Sequence, residues 1–284
     1  MKIVRTVKDL RAQVALWRAQ HHSISLIPTM GALHEGHLSL VAVGKKAAHK
    51  AVATLFVNPT QFGEGEDLAT YPRDEDRDAR MLAGAGCDLL FIPSVEEMYP
   101  SDFSTEVRVK GLTDCLCGAA RPGHMDGVAQ VVSKLLNQAG ANYAVFGEKD
   151  WQQLAVIRRM ARDLNIPTDI LGGPTQRETD GLAMSSRNRY LNPDQRRIAG
   201  GLNRELFAAA ARIAGGAPVD AECIVTAKIL EKSGFDSVDY VEARDPETLQ
   251  PVTVHDPARP GRLFAAAHLG KARLIDNVTI APLS

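Results

Sequence analysis

The sequence predicts an α/β protein, with a parallel sheet built over residues 1–175 and a smaller α+β region over residues 176–284. Three observations carry that reading. Short, β-branched apolar runs alternate with stretches of helical periodicity as far as residue 171. Pro and Gly stand at the ends of these runs, where strands give way to loops. Past residue 187 the order changes to helices first and strands afterwards, so the boundary falls near 175 to 187.

Val7, Leu10, Val14 and Trp17 recur at helical spacing and predict an amphipathic helix over 6–20. Ile24, Ser25, Leu26 and Ile27 form a short buried strand, stopped by Pro28 and Gly31, and a helix follows over about 37–49. The strand over 51–58 ends at Pro59. Strand, helix and strand in that order imply a right-handed parallel crossover. A charged helix over 74–84 leads into a strand at 88–93, and residues 103–109 alternate like an exposed strand. Residues 111–127 are rich in Gly, Cys and turn formers and read as a mobile loop. A helix over 128–139, a buried strand over 142–147, a helix over 150–165 and a short strand over 168–171 complete a sheet of about five strands. Beyond the boundary, helices over 193–213 and 219–232 precede strands at 238–242, 263–267 and 272–275.

Composition narrows the function. A chain of 284 residues can hold one large core or two domains. Its net charge of −1 lacks the basic excess of a nucleic-acid binder, which favours small-molecule partners. No apolar run approaches the roughly 20 residues that span a bilayer. Met1-Lys2-Ile3-Val4-Arg5 leads into a charged helical pattern unlike a signal peptide, so the expected location is the cytosol. Of the four cysteines only Cys115 and Cys117 are close together. A Cys-x-Cys pair with His124 downstream lacks the second pair that a zinc site needs, so reduced, unliganded thiols are expected.

The chemistry gathers around Pro28-Thr29-Met30-Gly31-Ala32-Leu33-His34-Glu35-Gly36-His37. A helix starting near His34 or Glu35 puts His34 and His37 on one face of its first turn, where unpaired N–H groups and the helix dipole favour an anion. Two imidazoles there suit a phosphate. On its own, His-x-x-His is equally compatible with a solvated helix or half a metal site. No Walker loop, dinucleotide fingerprint or G-x-S-x-G elbow is present, so any nucleotide must be held through the histidine loop. Three further segments stand where strands end: Val57-Asn58-Pro59-Thr60-Gln61-Phe62, Gly147-Glu148-Lys149-Asp150-Trp151-Gln152-Gln153, and Asp180-Gly181-Leu182-Ala183-Met184-Ser185-Ser186-Arg187-Asn188. Strand ends are where open α/β sheets bind ligands. Imidazoles, a lysine, an arginine, hydroxyls and amides together suit a triphosphate beside a small hydroxylated carboxylate.

In these four motifs, in their order, and in the closing Leu274-Ile275-Asp276-Asn277, the chain resembles the pantothenate synthetase (pantoate:beta-alanine ligase) family. The resemblance implies a cytoplasmic homodimer with a Rossmann-like, nucleotidyltransferase-type N-terminal domain and a C-terminal lid. It implies ATP-dependent joining of pantoate and β-alanine with Mg²⁺, yielding pantothenate, AMP and pyrophosphate through pantoyl adenylate. Carried onto this chain, His34 and His37 contact the triphosphate, and Lys149 holds the phosphates and the developing charge. Ser185, Ser186 and Arg187 close over the nucleotide. Met30, Gly31, Gly147, Glu148, Asp150, Gln176 and Met184 complete the nucleotide site, while Gln61 and Gln153 hold pantoate. Asp78 falls where the family has an acidic residue linked to the metal region, and Arg121 and His124 match a mobile family segment. The chain departs from the pattern at Asp74, where threonine is commoner, and at Trp151, where Phe or Tyr is usual.

Each role has a plainer rival. Asp150 and Gln153 have capping-box spacing. Ser185 and Ser186 could serve a turn, Gln61 could satisfy backbone groups after Pro59, and Asp78 could be an exposed helical residue. Two other activities also compete. A nucleotidylyltransferase moving AMP onto a phosphate acceptor shares the histidine loop, but Gln61, Gln153 and the C-terminal half oppose it. A non-catalytic nucleotide-binding protein has no need of His34, His37, Lys149 and Arg187 together.

Overall fold

Apolar runs too short for helices become the strands of one sheet, and the helical periodicities between them become its crossovers. The computed structural model describes residues 1–63 and 65–282. The order is β1 (Lys2–Val4), α1 (Val7–Ala19), β2 (Ile24–Thr29), α2 (Glu35–Ala47), β3 (Lys50–Leu55), α3 (Glu75–Gly84), β4 (Leu89–Phe91), α4 (Val95–Met98), α5 (Leu116–Ala120), α6 (His124–Ala139), β5 (Tyr143–Gly147), α7 (Trp151–Asp163) and β6 (Asp169–Gly173). There follow α8 (Pro193–Ala199), α9 (Gly201–Ala214), α10 (Val219–Lys232), β7 (Ser237–Arg244), β8 (Gly261–Leu269) and β9 (Ala272–Ile280).

The chain forms two units by its contacts. The first comprises Met1–Asp114, Arg121–Glu148 and Val156–Pro174; the second comprises Cys115–Ala120, Lys149–Ala155 and Thr175–Ser284. In the first, six parallel strands lie in the order β1-β4-β3-β2-β5-β6. From β2 the chain builds outward through β3 to β4, then returns to lay β5 on the other side of β2. The sheet therefore has its switch point between β2 and β5, and the loops leaving their carboxyl ends flank it. Ile27, Leu33, Val41, Ala53, Leu82, Leu90 and Val145 pack into one core beside that point. Leu33 is wholly buried. At about 1.5–3 kcal/mol for such a side chain, its burial fixes the residue just before His34.

The second unit holds an antiparallel sheet, β7-β8-β9, with a bulge between Val238 and Tyr240. Leu202, Leu206 and Ile213 of α9 pack with Leu263, Leu274 and Val278 of the sheet. This is the smaller α+β region that the helices-then-strands order predicts.

Four expectations need correction. The sheet has six strands because β1, only three residues long, pairs with β4, and so short a run carries no readable alternation. Residues 103–109 form no ladder: the Val107 N–H goes to the Gln130 side chain at 3.0 Å, so a side chain takes the bond a strand neighbour would have taken. Residues 111–127, read as a loop, contain α5 and the first turn of α6. The helix expected over 193–213 is two helices, α8 and α9, meeting at Gly200. Among the described residues no helix is long and apolar enough to cross a membrane.

Candidate active site

The histidine loop leaves β2 through two left-handed residues, Gly31 at φ +88° and Ala32 at φ +53°. Only glycine takes that conformation freely, so Ala32 needs outside support. It comes from Asp78 on α3. One carboxylate oxygen accepts the Ala32 N–H at 2.8 Å and the other accepts the Leu33 N–H at 3.0 Å. Arg77 adds a bond from Nη2 to the Leu33 carbonyl at 3.2 Å. Asp78 is 1% exposed, which rules out the exposed-helix reading, and both its oxygens are committed to the loop. Its position accounts for loop anchoring without a metal. Among the described residues no cluster of three His, Cys, Asp or Glu could hold a metal ion.

His34 is the N-cap of α2, in extended conformation at φ −143°. Its Nδ1 accepts the Gly36 N–H at 3.2 Å, and His37 Nδ1 accepts the His34 N–H at 3.3 Å, a reciprocal capping box made of imidazoles. The rings stand 4.1 Å apart between centroids. Accepting at Nδ1 fixes the neutral tautomer, so the proton of each ring is on Nε2. The helix start expected near His34 or Glu35 is thus built by the two histidines themselves, and their donor edge is Nε2–H.

Gln61 ends a 3-10 turn, Pro59–Gln61, capped by Asn58, whose side chain accepts from the Thr60 N–H at 3.4 Å. Asn58 Nδ2 donates to Gln61 Oε1 at 3.2 Å and to the Gly127 carbonyl at 3.0 Å, while Tyr99 Oη donates to Asn58 Oδ1 at 2.9 Å. The amide is thereby oriented, its Nε2 reaching Met30 Sδ at 3.0 Å. That brings Met30 and Gln61, predicted for different ligands, into contact. Burial of the Tyr99 hydroxyl raises its pKa, keeping it a donor. At Gly127 a Cβ would fall 2.3 Å from the Thr60 carbonyl oxygen, so glycine is what lets α6 approach this turn. Arg121 and His124 also serve it. His124 Nδ1 lies 2.8 Å from the Gln61 carbonyl, and Arg121 pairs with Glu66 at 2.5 Å.

Gly147 ends β5 opposite Gly173, and Glu148–Asp150 forms a 3-10 turn running straight into α7. Asp150 lies inside that turn, which runs on into α7, so the helical stretch begins before it, which weakens the capping-box rival for Gln153. The neighbouring Gln152 is the structural glutamine: it is buried, donates to the Cys115 carbonyl at 2.7 Å and accepts the Cys117 N–H at 2.9 Å. Gln153 is half-buried in the first turn of α7. Lys149 Nζ lies 3.7 Å from Asp150 Oδ1.

In the second unit Met184 N–H donates to the Gln176 carbonyl at 2.9 Å, and Arg177 bridges to Ala183, forming a small clasp. Arg177 makes a two-pronged pair with the buried Asp276, at 2.7 and 3.0 Å. Arg196 pairs with Glu178 at 2.7 Å and with Asp180, and its hydrogen bond to Asp180 holds that carboxyl below the usual range. Ser185 caps the 3-10 turn Ser186–Tyr190, accepting the Arg187 N–H at 3.3 Å. Its hydroxyl thus does serve a turn, as the rival reading has it. The predicted residues divide between units: Met30, Gly31, His34, His37, Gln61, Asp78, Gly147 and Glu148 belong to the first, and Lys149, Asp150, Gln153, Gln176, Met184, Ser185, Ser186 and Arg187 to the second. The anchoring roles of Asp78 and Asn58 were not foreseen. Asn before Pro, an N-cap followed by a favoured first helical residue, was the available signal for Asn58.

A parallel sheet with a histidine-capped helix at its switch point, and an oriented amide beside it, defines a nucleotide-binding α/β enzyme with a small polar substrate. The comparisons with known proteins make this specific. The Pantoate-beta-alanine ligase family model matches residues 2–279. Pantothenate synthetase of Paramagnetospirillum magneticum is 58% identical over 99% of this chain and 98% of its own, and that of Dinoroseobacter shibae is 52% identical over 98% and 99%. Among solved structures, pantothenate synthetase from Thermus thermophilus superposes with a TM-score of 0.92 at 45% identity, covering 99% of this chain and 100% of that one. Pantoate-beta-alanine ligase from Francisella tularensis, complexed with beta-gamma ATP and beta-alanine, gives 0.82 at 31% identity, covering 99% and 98%. The chain belongs to the pantoate-beta-alanine ligase family, and its reaction is the ATP-dependent ligation of pantoate to β-alanine.

Proposed function

We propose that the ligation runs in two steps through pantoyl adenylate, and that the histidine capping box is the observation that carries the nucleotide half. The pantoate carboxylate attacks the α-phosphorus of ATP and pyrophosphate leaves. A carboxylate is ionised at pH 7, so this step needs alignment and charge stabilisation in place of a general base. His34 and His37 donate from Nε2 to the triphosphate. Lys149 neutralises charge at the reacting phosphate, with Ser185, Ser186 and Arg187 as further donors, while Met30, Gly31, Gly147, Glu148, Asp150, Gln176 and Met184 frame the nucleotide.

Gln61 and Gln153 hold pantoate. For Gln61 the support is its fixed amide, whose donor faces a thioether, the weakest acceptor that a substrate oxygen could displace. In the second step the β-alanine amine attacks the adenylate and AMP leaves. That amine has a pKa of about 10 by comparison with lysine and must first lose a proton.

Asp78 holds the histidine loop through one accepted N–H at each carboxylate oxygen. Mg²⁺ in ATP sites is held largely by the phosphates and water. We take it to arrive with the nucleotide, and no step above depends on its protein ligands. The family resemblance further supports a homodimer in the cytoplasm.

The test is pyrophosphate release by purified protein with ATP and Mg²⁺, with pantoate added or omitted, followed by AMP release on adding β-alanine. Pantoate-dependent pyrophosphate and β-alanine-dependent AMP are expected. Release of AMP and pyrophosphate only when all three substrates are present would refute the stepwise order.

A further inference from the structure

The turn that carries Lys149 is gripped from the strands that close the chain. Asn277 on β9 donates from Nδ2 to the Lys149 carbonyl at 2.8 Å. Asn277 is 4% exposed and is itself fixed: its Oδ1 accepts from Arg262 Nη1, and its backbone N–H donates to Asp276 Oδ1 at 2.8 Å. Arg262, on β8, also donates from Nη2 to Thr279 Oγ1 at 3.1 Å. Its guanidinium lies 3.4 Å from the ring centroid of Trp151, two residues beyond Lys149. That indole is tied in turn by its Nε1–H, which donates to the Pro246 carbonyl at 2.7 Å. All of these residues belong to the second unit.

Why such a grip is needed follows from local physics. Glu148–Asp150 is a single 3-10 turn, and 3-10 hydrogen bonds are poorly aligned and do not hold so short a piece by themselves. A lysine side chain adds four rotatable bonds beyond that turn, so an unfixed stem would scatter the ammonium. Fixing the carbonyl at 149 and the ring at 151 leaves the side chain as the sole freedom between two anchors.

We propose that Asn277 and Arg262 are positioning residues for Lys149, acting on adenylate formation through its backbone. This rests on the reading of Lys149 as the group that meets the reacting phosphate. Asn277→Asp keeps the size of the side chain and an acceptor for Arg262, but sets a carboxylate oxygen against the Lys149 carbonyl where a donor stood. Arg262→Met removes the stacked charge and both donors while keeping an apolar stem against Trp151.

The experiment uses the full chain and measures pantoate-dependent pyrophosphate release for Asn277→Asp, Arg262→Met, Lys149→Ala and each of the two combined with Lys149→Ala. Misplacing a reacting group by about 1 Å can cost on the order of a hundredfold, so Asn277→Asp is expected to lower kcat by about tenfold to a hundredfold with KM for pantoate unchanged. Combined with Lys149→Ala it should cost nothing more, because the group it positions is gone. In a Trp17→Phe background, which leaves Trp151 as the single tryptophan, Arg262→Met should shift the emission and reduce kcat in the same non-additive way. Wild-type kcat in both single variants beside an impaired Lys149→Ala would overturn the inference and leave the lysine's role standing. Losses that multiply in the double variants would overturn it too. Full activity in Lys149→Ala would overturn the reading of the lysine and this inference with it. Should Asn277→Asp fail to fold, Arg262→Met decides by the same criteria.

Discussion

Gln61 Nε2 lies 3.0 Å from Met30 Sδ, a strong donor facing a weak acceptor. Because Asn58 holds Oε1, the amide cannot turn around, and an incoming hydroxyl or carboxylate oxygen meets an N–H. Gln61→Glu reverses that polarity at constant shape. It should raise KM for pantoate by about a hundredfold, the scale for a site built around one hydrogen bond, while KM for ATP stays near normal. Steady-state kinetics with each substrate varied in turn would show the split, and equal rises in both constants would count against the assignment.

Asp78→Asn tests the anchor of the histidine loop. The amide offers one acceptor where the carboxylate offers two, leaving a buried N–H of Ala32 or Leu33 without its partner. A cost of about 2 kcal/mol is expected from that loss alone. Thermal melting reads the stability. Pyrophosphate release should fall as well, because His34 follows directly on the loosened backbone.

Gly127→Ala should disturb the pantoate half and spare the nucleotide half. Its Cβ would sit 2.3 Å from a backbone carbonyl oxygen of the turn that carries Gln61, a clash that side-chain rotation cannot relieve. Overpacking of this kind costs about 1–3 kcal/mol. A lower melting temperature with a raised KM for pantoate is the expected pair of results. An unchanged KM would mean that the turn shifts without moving the amide.

The Glu66–Arg121 pair gives a pH prediction. The hydrogen bond from Arg121, followed by its charge, holds the Glu66 carboxyl below its ordinary value near 4.5. A lowered folded-state pKa means the pair contributes stability above the unfolded value, and that contribution disappears as pH falls through the folded one. Glu66→Gln should therefore melt lower than the parent at pH 7, with the two curves converging in acid. A gap that persists to low pH would show that shape and not charge makes the contact.

The sheet was legible because its strands are β-branched runs closed by Pro or Gly, as at Ile24 to Pro28. The small antiparallel sheet with its helices was legible from the change of order past residue 187, whereas nothing in the sequence joined Cys115–Ala120 and Lys149–Ala155 to that unit. What stayed hidden was mostly long-range. Asp78 meets Ala32 from 46 positions away and Asn277 meets Lys149 from 128 away, and no local spacing encodes either pairing. The strand expected over 103–109 failed for a related reason: alternation records which side chains face inward, but not whether a neighbouring strand is there to complete the ladder. The histidines were found by their spacing, whereas their reciprocal capping was not. Capping boxes are recognised by Ser, Thr and Glu, and imidazole nitrogens in that role leave no such signature.

The proposed adenylate joins pantoate to AMP through an acyl-phosphate bond, and isotope transfer reads that bond. With both carboxylate oxygens of pantoate labelled as ¹⁸O, the bridging oxygen of the adenylate comes from pantoate and leaves with the phosphate when the amine attacks the carbonyl. One ¹⁸O atom should therefore appear in each AMP formed, read by mass spectrometry, with the other retained in the amide of the product. AMP free of label from a preparation that makes the product would contradict the adenylate, and with it the roles given to the histidine loop and Lys149.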